Sequence, residues 1–589
     1  MPPLSRARRR VFIVVILVLP FLLLLVLEGG LRIAGFGESY PLFVRVESAP
    51  GYLRVNPDIV RRFMADERKT PDLWIRPVYF PREKTPETLR IFVQGGSTAE
   101  GYPYGYGASP AGMLQQRLQC TFPERKVEVI TTAMCAVNTY TLLDFTAEII
   151  DQKPDAVLIY AGHNEYVGLL GVGSGFSVGL RRTAVLSFLW LRDLRIFQLL
   201  QGLATASRPE PEDRSNRTLM ATIVREKKIP IGSSLHQRGL DQYRANLRAI
   251  LARYRKAGIP VFIGTVVSNE RDQPPFISGH GEGIDTAAWS RHFDAGNRAL
   301  ETGDALGALR NFDAAVDIDD AHAEGHFLRG RALDRLGRYH EARAAYLAAK
   351  DRDELRFRAP EAVNDILREV AAAQGATVVE VQEAFVHAAR NGIVGQDLML
   401  EHLHPNLRGY FLMADAFYEG LRSEGLLGGW EGWISPGQAW EEIPVTEVDR
   451  LYGEYRIRYL TSDWPFTKRK EPFRIGPAAD RVERIAQEYY RGSHEWPDAM
   501  RKLLEHYRTT DDLAEAARVA VLLAEAFPHE AERQLVAAEL LHQTGRPEGR
   551  VYFGRALRMA GPEQEARLLA LQADLRQVGV GESEARPEY

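Results

Sequence analysis

Cysteine is nearly absent: the chain has two, Cys120 and Cys135, too few for a fold built on disulfides. No His/Cys cluster has zinc spacing and no phosphate-binding glycine loop follows a strand, so neither a metal nor a nucleotide cofactor is implied. Net charge is only -4 and no basic block occurs beyond the first ten residues, which removes the electrostatic footprint of a nucleic-acid partner. Long hydrophobic runs are equally scarce. Val11 to Leu27 is one; the other apolar stretch, Leu186 to Leu200, carries Arg192, Asp193 and Arg195 and reads as an amphipathic cap over a site, not a bilayer helix. What remains is a globular composition, 45% hydrophobic and 26% charged, which excludes extensive disorder. At 589 residues the chain exceeds one core and implies about three or four domains.

Arg6, Arg8, Arg9 and Arg10 precede the Val11 to Leu27 run, which stops at Glu28. The run just spans a bilayer, and the arginines hold its amino end in the cytoplasm, placing everything after about residue 30 on the far, periplasmic side. No small-x-small cleavage site follows, where Glu28-Gly29-Gly30-Leu31 stands, so 8–30 is read as an uncleaved signal anchor. That compartment permits a Cys120–Cys135 disulfide; two buried thiols are the other reading.

Residues 31–88 are rich in Pro, Arg and aromatics without periodicity and read as an irregular lead-in. Regular structure starts at Leu89. Strand-length apolar runs occur at Leu89 to Val93, Val127 to Thr131, Ala156 to Ala161, Pro260 to Val267 and Thr377 to Val381. Helical patterns separate them, as in Leu240, Tyr243, Leu247, Ile250, Leu251 and Tyr254. Strands alternating with helices predict an α/β domain whose parallel sheet is covered on both faces, with chemistry at the strands' carboxyl ends. An internal period interrupts it. Gly296, Ala299, Gly303, Ala308, Phe312 and Ala315 recur as Gly330, Leu333, Gly337, Ala342, Tyr346 and Ala349, 34 residues on, the period of tetratricopeptide helix pairs. The predicted organisation is therefore 89–275 and 355–425 as two parts of one α/β domain, 276–354 as inserted α-helical repeats, 426–480 as a Trp/Pro-rich connector, 481–577 as a second helical-repeat region, and 578–589 as a disordered tail.

Ser97 ends the run Leu89-Arg90-Ile91-Phe92-Val93-Gln94-Gly95-Gly96-Ser97, where two glycines let the backbone turn and leave room beside a nucleophilic hydroxyl. Far downstream, Glu401-His402-Leu403-His404-Pro405 offers a base and a carboxylate to orient it. His402 is the rival base; the three-residue spacing from Glu401 favours His404. With Gly95-Gly96-Ser97-Thr98 first, Ala133 to Asn138 second, Gly162-His163-Asn164-Glu165 third and Glu401 to Pro405 last, the chain resembles the SGNH or GDSL hydrolase family over about 89–275 and 355–425.

The resemblance implies a flavodoxin-like three-layer fold and a serine esterase without cofactor. Ser97, His404 and Glu401 would be its triad, and the Ser97 N–H, the Ala136 N–H and the Asn164 side chain its oxyanion hole. Ala136 stands where the family usually has glycine, and Glu401 where aspartate is commoner; neither change removes a needed atom. From the residues themselves, His163 is a candidate substrate contact, with an ordinary surface role as the other reading, and Arg356 and Arg358 are candidate contacts to an anionic substrate, with pairing to nearby carboxylates as the other reading. The implied substrate is an acyl ester, by analogy an O-acylated cell-envelope glycan. Two alternatives remain: an O-acyltransferase using the same triad, or a scaffold that binds a protein partner through its repeats and carries an inactive hydrolase domain.

Overall fold

The computed structural model describes residues 6–577 apart from 72, 74, 180 and 207–216; the tail at 578–589 lies outside the described residues. The first helix, α1 (Arg6–Ile33), contains the long apolar run. Beyond it the lead-in is not irregular. It forms a three-stranded antiparallel sheet of β1 (Phe43–Val46), β2 (Ala49–Val55) and β3 (Tyr79–Pro81). These strands are short and unevenly buried, so no two-residue alternation betrays them in sequence.

The main sheet begins with β4 (Thr88–Gly95), every residue of which is buried, as expected of a central strand covered on both faces. Next come α2 (Ser97–Glu100), α3 (Pro110–Thr121), β5 (Lys126–Thr131), α4 (Thr139–Asp151) and β6 (Ala156–Tyr160). After α5 (Arg182–Leu191), α6 (Arg195–Ala206) and α7 (Leu219–Ile223), α8 (Ser234–Lys256) leads into β7 (Val261–Gly264). The strand order is β5-β4-β6-β7-β8, with β8 at Thr377–Val379, and all neighbours are parallel. The domain is therefore α/β, a three-layer doubly wound sheet. On α8 the predicted stripe is the packing face: Tyr243, Leu247, Ile250, Leu251 and Tyr254 are buried against the sheet.

Between β7 and β8 stand two helix pairs, α9 (Thr286–Glu301) with α10 (Ala305–Ile318) and α11 (Ala323–Arg335) with α12 (Tyr339–Arg352). The 34-residue pattern has a direct physical basis. A Cβ on Gly296 would lie 2.7 Å from the Phe312 ring, and one on Gly330 would lie 2.8 Å from the Tyr346 ring, so in each pair a glycine admits the aromatic of the other helix. The pairs have their own core, with Ala308, Phe312, Phe327, Ala342 and Tyr346.

The α/β domain resumes with α13 (Glu361–Gln374), β8, α14 (Val381–Ala388) and α15 (Leu407–Ser423). The connector holds α16 (Pro436–Glu441) and α17 (Glu447–Thr461), and the last region comprises α18 (Arg481–Tyr490), α19 (Trp496–Thr509), α20 (Leu513–Ala526), α21 (Ala531–Gln543), α22 (Gly549–Met559) and α23 (Pro562–Gln577). This region docks on the β5 edge: Arg555 donates to the Gln119 side chain at 2.7 Å, and Gln115 donates to Glu525 at 3.1 Å.

The amphipathic stretch at 186–200 does not form the expected cap. It is α5 and α6, lying along the flank, where Arg192 bonds Asp144 of α4 at 3.2 Å and Glu28 of α1 accepts from the Arg195 and Ile196 amides at 3.0 Å. The charges that disqualify it as a bilayer span are thus the ones that fasten it to its neighbours.

Candidate active site

Ser97 sits where β4 stops. A Cβ on Gly95 would meet the Tyr160 carbonyl oxygen at 2.2 Å, and one on Gly96 would meet the Asn164 amide nitrogen at 2.8 Å. The two glycines thus let β6 and the loop after it close on Ser97 from one side. From the other, buried Arg76 of the lead-in pairs with Glu100 at 3.2 Å and donates to the Glu100, Gly105 and Tyr106 carbonyls and the Ser109 hydroxyl. The Ser97 loop is pinned by a residue that sequence reasoning had placed in an irregular segment.

His404 reaches it from the turn before α15. Its Nε2 lies 2.7 Å from Ser97 Oγ, and its Nδ1 lies on Glu401 Oε1. Glu401 is buried and also accepts from the His404 amide at 3.0 Å and the His402 amide at 2.5 Å, so the carboxylate is oriented by the turn that carries the base. Nearby Asn406 caps α15, accepting from the Gly409 amide at 3.0 Å. Burial pushes the His404 imidazole below its ordinary value, which favours the neutral form that a base needs. The His402 ring packs edge-on to Phe276, Phe357 and Phe466 with its Nδ1 against Glu401 Oε2, and it is His404 that bonds Ser97.

Three N–H groups near this turn have a hydrogen to spare. Ser97 opens α2, so its N–H has no acceptor within that helix. The Ala136 N–H, in the loop after β5, bonds no group among the described residues, while the Ala136 carbonyl accepts from Leu169 at 2.7 Å. Ala136 has φ 61°, a left-handed backbone that costs a side chain about 1 kcal/mol and explains why glycine is the easier residue at such a place. The Asn164 amide donates one hydrogen to the Val137 carbonyl at 3.0 Å and keeps a second.

Glu165, next in the chain, has a supporting role. Fully buried, it accepts from the Thr139 amide at 2.8 Å, the Thr139 hydroxyl at 2.9 Å and Gln242 at 3.1 Å, tying the loops after β5 and β6 to α8. Burial pushes its carboxyl up to about 7, against the pull of those bonds. The folded protein then holds a proton that the unfolded chain releases, so stability falls as pH rises from about 4.5 to about 7, by roughly 3 kcal/mol in all. Thermal melts of wild type and Glu165→Gln across that interval are expected to diverge, the wild type losing ground as pH rises; parallel curves would sever Glu165 from this linkage.

His163, Arg356 and Arg358 are not placed to touch substrate. The His163 Nδ1 accepts from the Ala359 amide at 3.1 Å and its Nε2 donates to the Val267 carbonyl at 3.2 Å, so both nitrogens are spent joining the two parts of the domain. Buried Arg356 donates to the Ile229 carbonyl at 2.8 Å, and buried Arg358 to the Asn269 and Gln273 carbonyls at 2.9 and 3.0 Å and to Asp353 at 3.3 Å. These arginines secure loops behind the site. Cys120 and Cys135 are free thiols, both pushed up to about 12 by burial, which keeps Cys135, beside Ala136, in its unreactive form. Glu401, His402 and His404 lie close enough to share a cation, yet both His404 nitrogens are occupied by Glu401 and Ser97.

No protein-family model matches the chain, and neither does any curated protein. Solved structures do. A GDSL-like lipase from Bacteroides thetaiotaomicron is 11% identical, with 59% of this chain and 93% of that one covered and a TM-score of 0.26. A lipase/acylhydrolase from Enterococcus faecalis is 14% identical, over 57% and 97% of the two chains, also with a TM-score of 0.26. Likeness of this degree says nothing about chemistry, which has to come from the side chains.

Proposed function

We propose that this chain is a membrane-anchored serine esterase that removes O-acyl groups, with a glycan outside the cytoplasm as its substrate. One observation carries the reading: a hydroxyl, an imidazole and a buried carboxylate in series at the end of a parallel sheet. His404 takes the proton of Ser97 as the hydroxyl attacks the ester carbonyl, and Glu401 holds the tautomer and stabilises the imidazolium. The Ser97 and Ala136 N–H groups and the Asn164 amide receive the oxyanion; a single such donor is typically worth about 10²–10³ in turnover. His404 then protonates the departing alcohol, and water releases the acyl group by the reverse sequence.

The membrane part of the reading rests on α1, whose apolar window has none of its surface buried in the protein. At its foot Glu28 caps α6, and beside that junction Ile33, Trp190, Leu200 and Leu203 are exposed, apolar side chains of the kind that settle at a bilayer interface. The inserted helix pairs would offer a surface to a protein partner.

A membrane-impermeant fluorophosphonate tests chemistry and sidedness together. It is expected to label the full chain at Ser97 in right-side-out vesicles and to leave inside-out vesicles unlabelled. Absence of label in permeabilised vesicles would favour the inactive scaffold, and label from the cytoplasmic face would reverse the orientation.

A further inference from the structure

The helical region beyond the sheet reaches the active site through α17. A Cβ on Gly453 would lie 2.4 Å from the Tyr104 ring, so the helix is pressed directly onto the loop that follows Ser97. Asp449 fixes it there, accepting from the Trp496 indole at 2.9 Å and from Thr446 at 2.7 Å. Less than a turn beyond Gly453 the helix presents Arg456.

The Arg456 guanidinium lies 4.3 Å from the Tyr102 ring centre and 5.5 Å from that of Tyr452. Tyr102 in turn rests on the His404 ring, with centroids 4.7 Å apart. The order in space is therefore His404, Tyr102, Arg456. Stacking occupies the face of a guanidinium and leaves its N–H edge available. Among the described residues no carboxylate pairs with Arg456 and no protein acceptor takes its N–H groups, and its nitrogens are not sealed from solvent. The surrounding acids are committed: Glu100 to Arg76, and Glu447 and Glu454 to Arg450. Other arginines near the site, Arg76, Arg356 and Arg358, are spent on the protein itself. Arg456 alone of this group is held in place without a hydrogen-bonding partner.

We infer that Arg456 receives an oxyanion on the alcohol portion of the ester, so that the preferred substrate is an acylated acidic compound such as a uronate- or phosphate-bearing glycan. This rests on the esterase reading above. The choice of portion follows from the chemistry: His404 hands its proton to the leaving alcohol, so that portion lies along the imidazole, and Arg456 stands one aromatic ring beyond it, past Tyr102. A planar fork over an aromatic shelf suits a carboxylate or phosphate, and a neutral sugar leaves it unsatisfied.

The full chain is assayed with methyl 4-acetoxybenzoate, 4-acetoxybenzoate and (4-acetoxybenzyl)phosphonate, which are neutral, carboxylate and phosphonate acetates. The ratio of kcat/KM for each anion to that for the neutral ester is expected to fall about tenfold in Arg456→Gln, the size of one charge-assisted hydrogen bond. In Arg456→Lys it falls less, and in wild type it declines with added salt. Whichever anion gives the larger ratio identifies the source. Equal ratios in wild type and Arg456→Gln overturn the inference. Should no ester be turned over, calorimetry of tetragalacturonate binding to the Ser97→Ala chain decides: about tenfold weaker binding on adding Arg456→Gln sustains it, and unchanged or absent binding overturns it. A failure of the esterase reading is seen separately, as loss of fluorophosphonate labelling.

Discussion

Ser97→Ala is expected to lower the turnover of 4-nitrophenyl acetate by about 10⁶, with His404→Ala nearly as severe and the double variant no worse than either. The lack of additivity follows from the geometry. With the hydroxyl 2.7 Å from Nε2, neither group acts alone: the serine is a weak nucleophile without a base, and the base has no proton to take without the serine. Activity remaining in the variants would come from the oxyanion donors, about 10³–10⁴ above water. Steady-state rates on the purified full chain check this. A Ser97→Ala protein retaining a few per cent of wild-type turnover would place the nucleophile elsewhere.

Glu401→Gln is the second large effect, about 10⁴ in kcat, the size seen when a triad carboxylate becomes an amide. The Glu401 carboxylate accepts from three N–H groups: those of the His402 and His404 backbone and the His404 ring. An amide has only one accepting oxygen, so neither orientation keeps all three bonds. If its NH₂ faces Nδ1, the ring must carry its proton on Nε2, where it blocks proton transfer from Ser97. If its NH₂ faces the other way it opposes the buried His402 amide donor, with only the His402 Nδ1 beside it to accept, and a lost buried bond of this kind costs about 1–3 kcal/mol. Raising the pH repairs neither. The variant should fold, melt lower and show the loss at every pH; a variant within tenfold of wild type would reduce Glu401 to a structural part of the turn.

Several parts of this arrangement are visible in the amino-acid order because they are local. Gly95, Gly96 and Ser97 follow a continuous apolar run, and Glu401 and His404 share one turn, so pattern and spacing suffice to single them out. The repeats are visible for a similar reason: a glycine and the aromatic it admits recur at one interval, as Gly296 with Phe312 and Gly330 with Tyr346. Other parts leave no local trace. His163 adjoins Asn164, yet neighbouring residues on non-helical backbone face apart, and its ring turns to Ala359 and Val267. Arg356 and Arg358 read in sequence as candidate substrate contacts or partners of nearby carboxylates, and only the structure shows them bonded to the carbonyls of distant loops.

From the sequence alone come the alternation of strand and helix, the anchor-like run with its arginines, the helix-pair interval and the three blocks bearing Ser97, Asn164 and His404, since each depends on residues within a turn or a strand of one another. The tertiary structure decided the rest: that Arg76 of the lead-in holds the Ser97 loop, that 186–200 lies on the flank, and that Arg456 arrives beside Tyr102. Contacts between segments that are not neighbours in one strand or helix have no period and no spacing to read. They exist only once burial of the helices against the sheet has fixed where each loop must end.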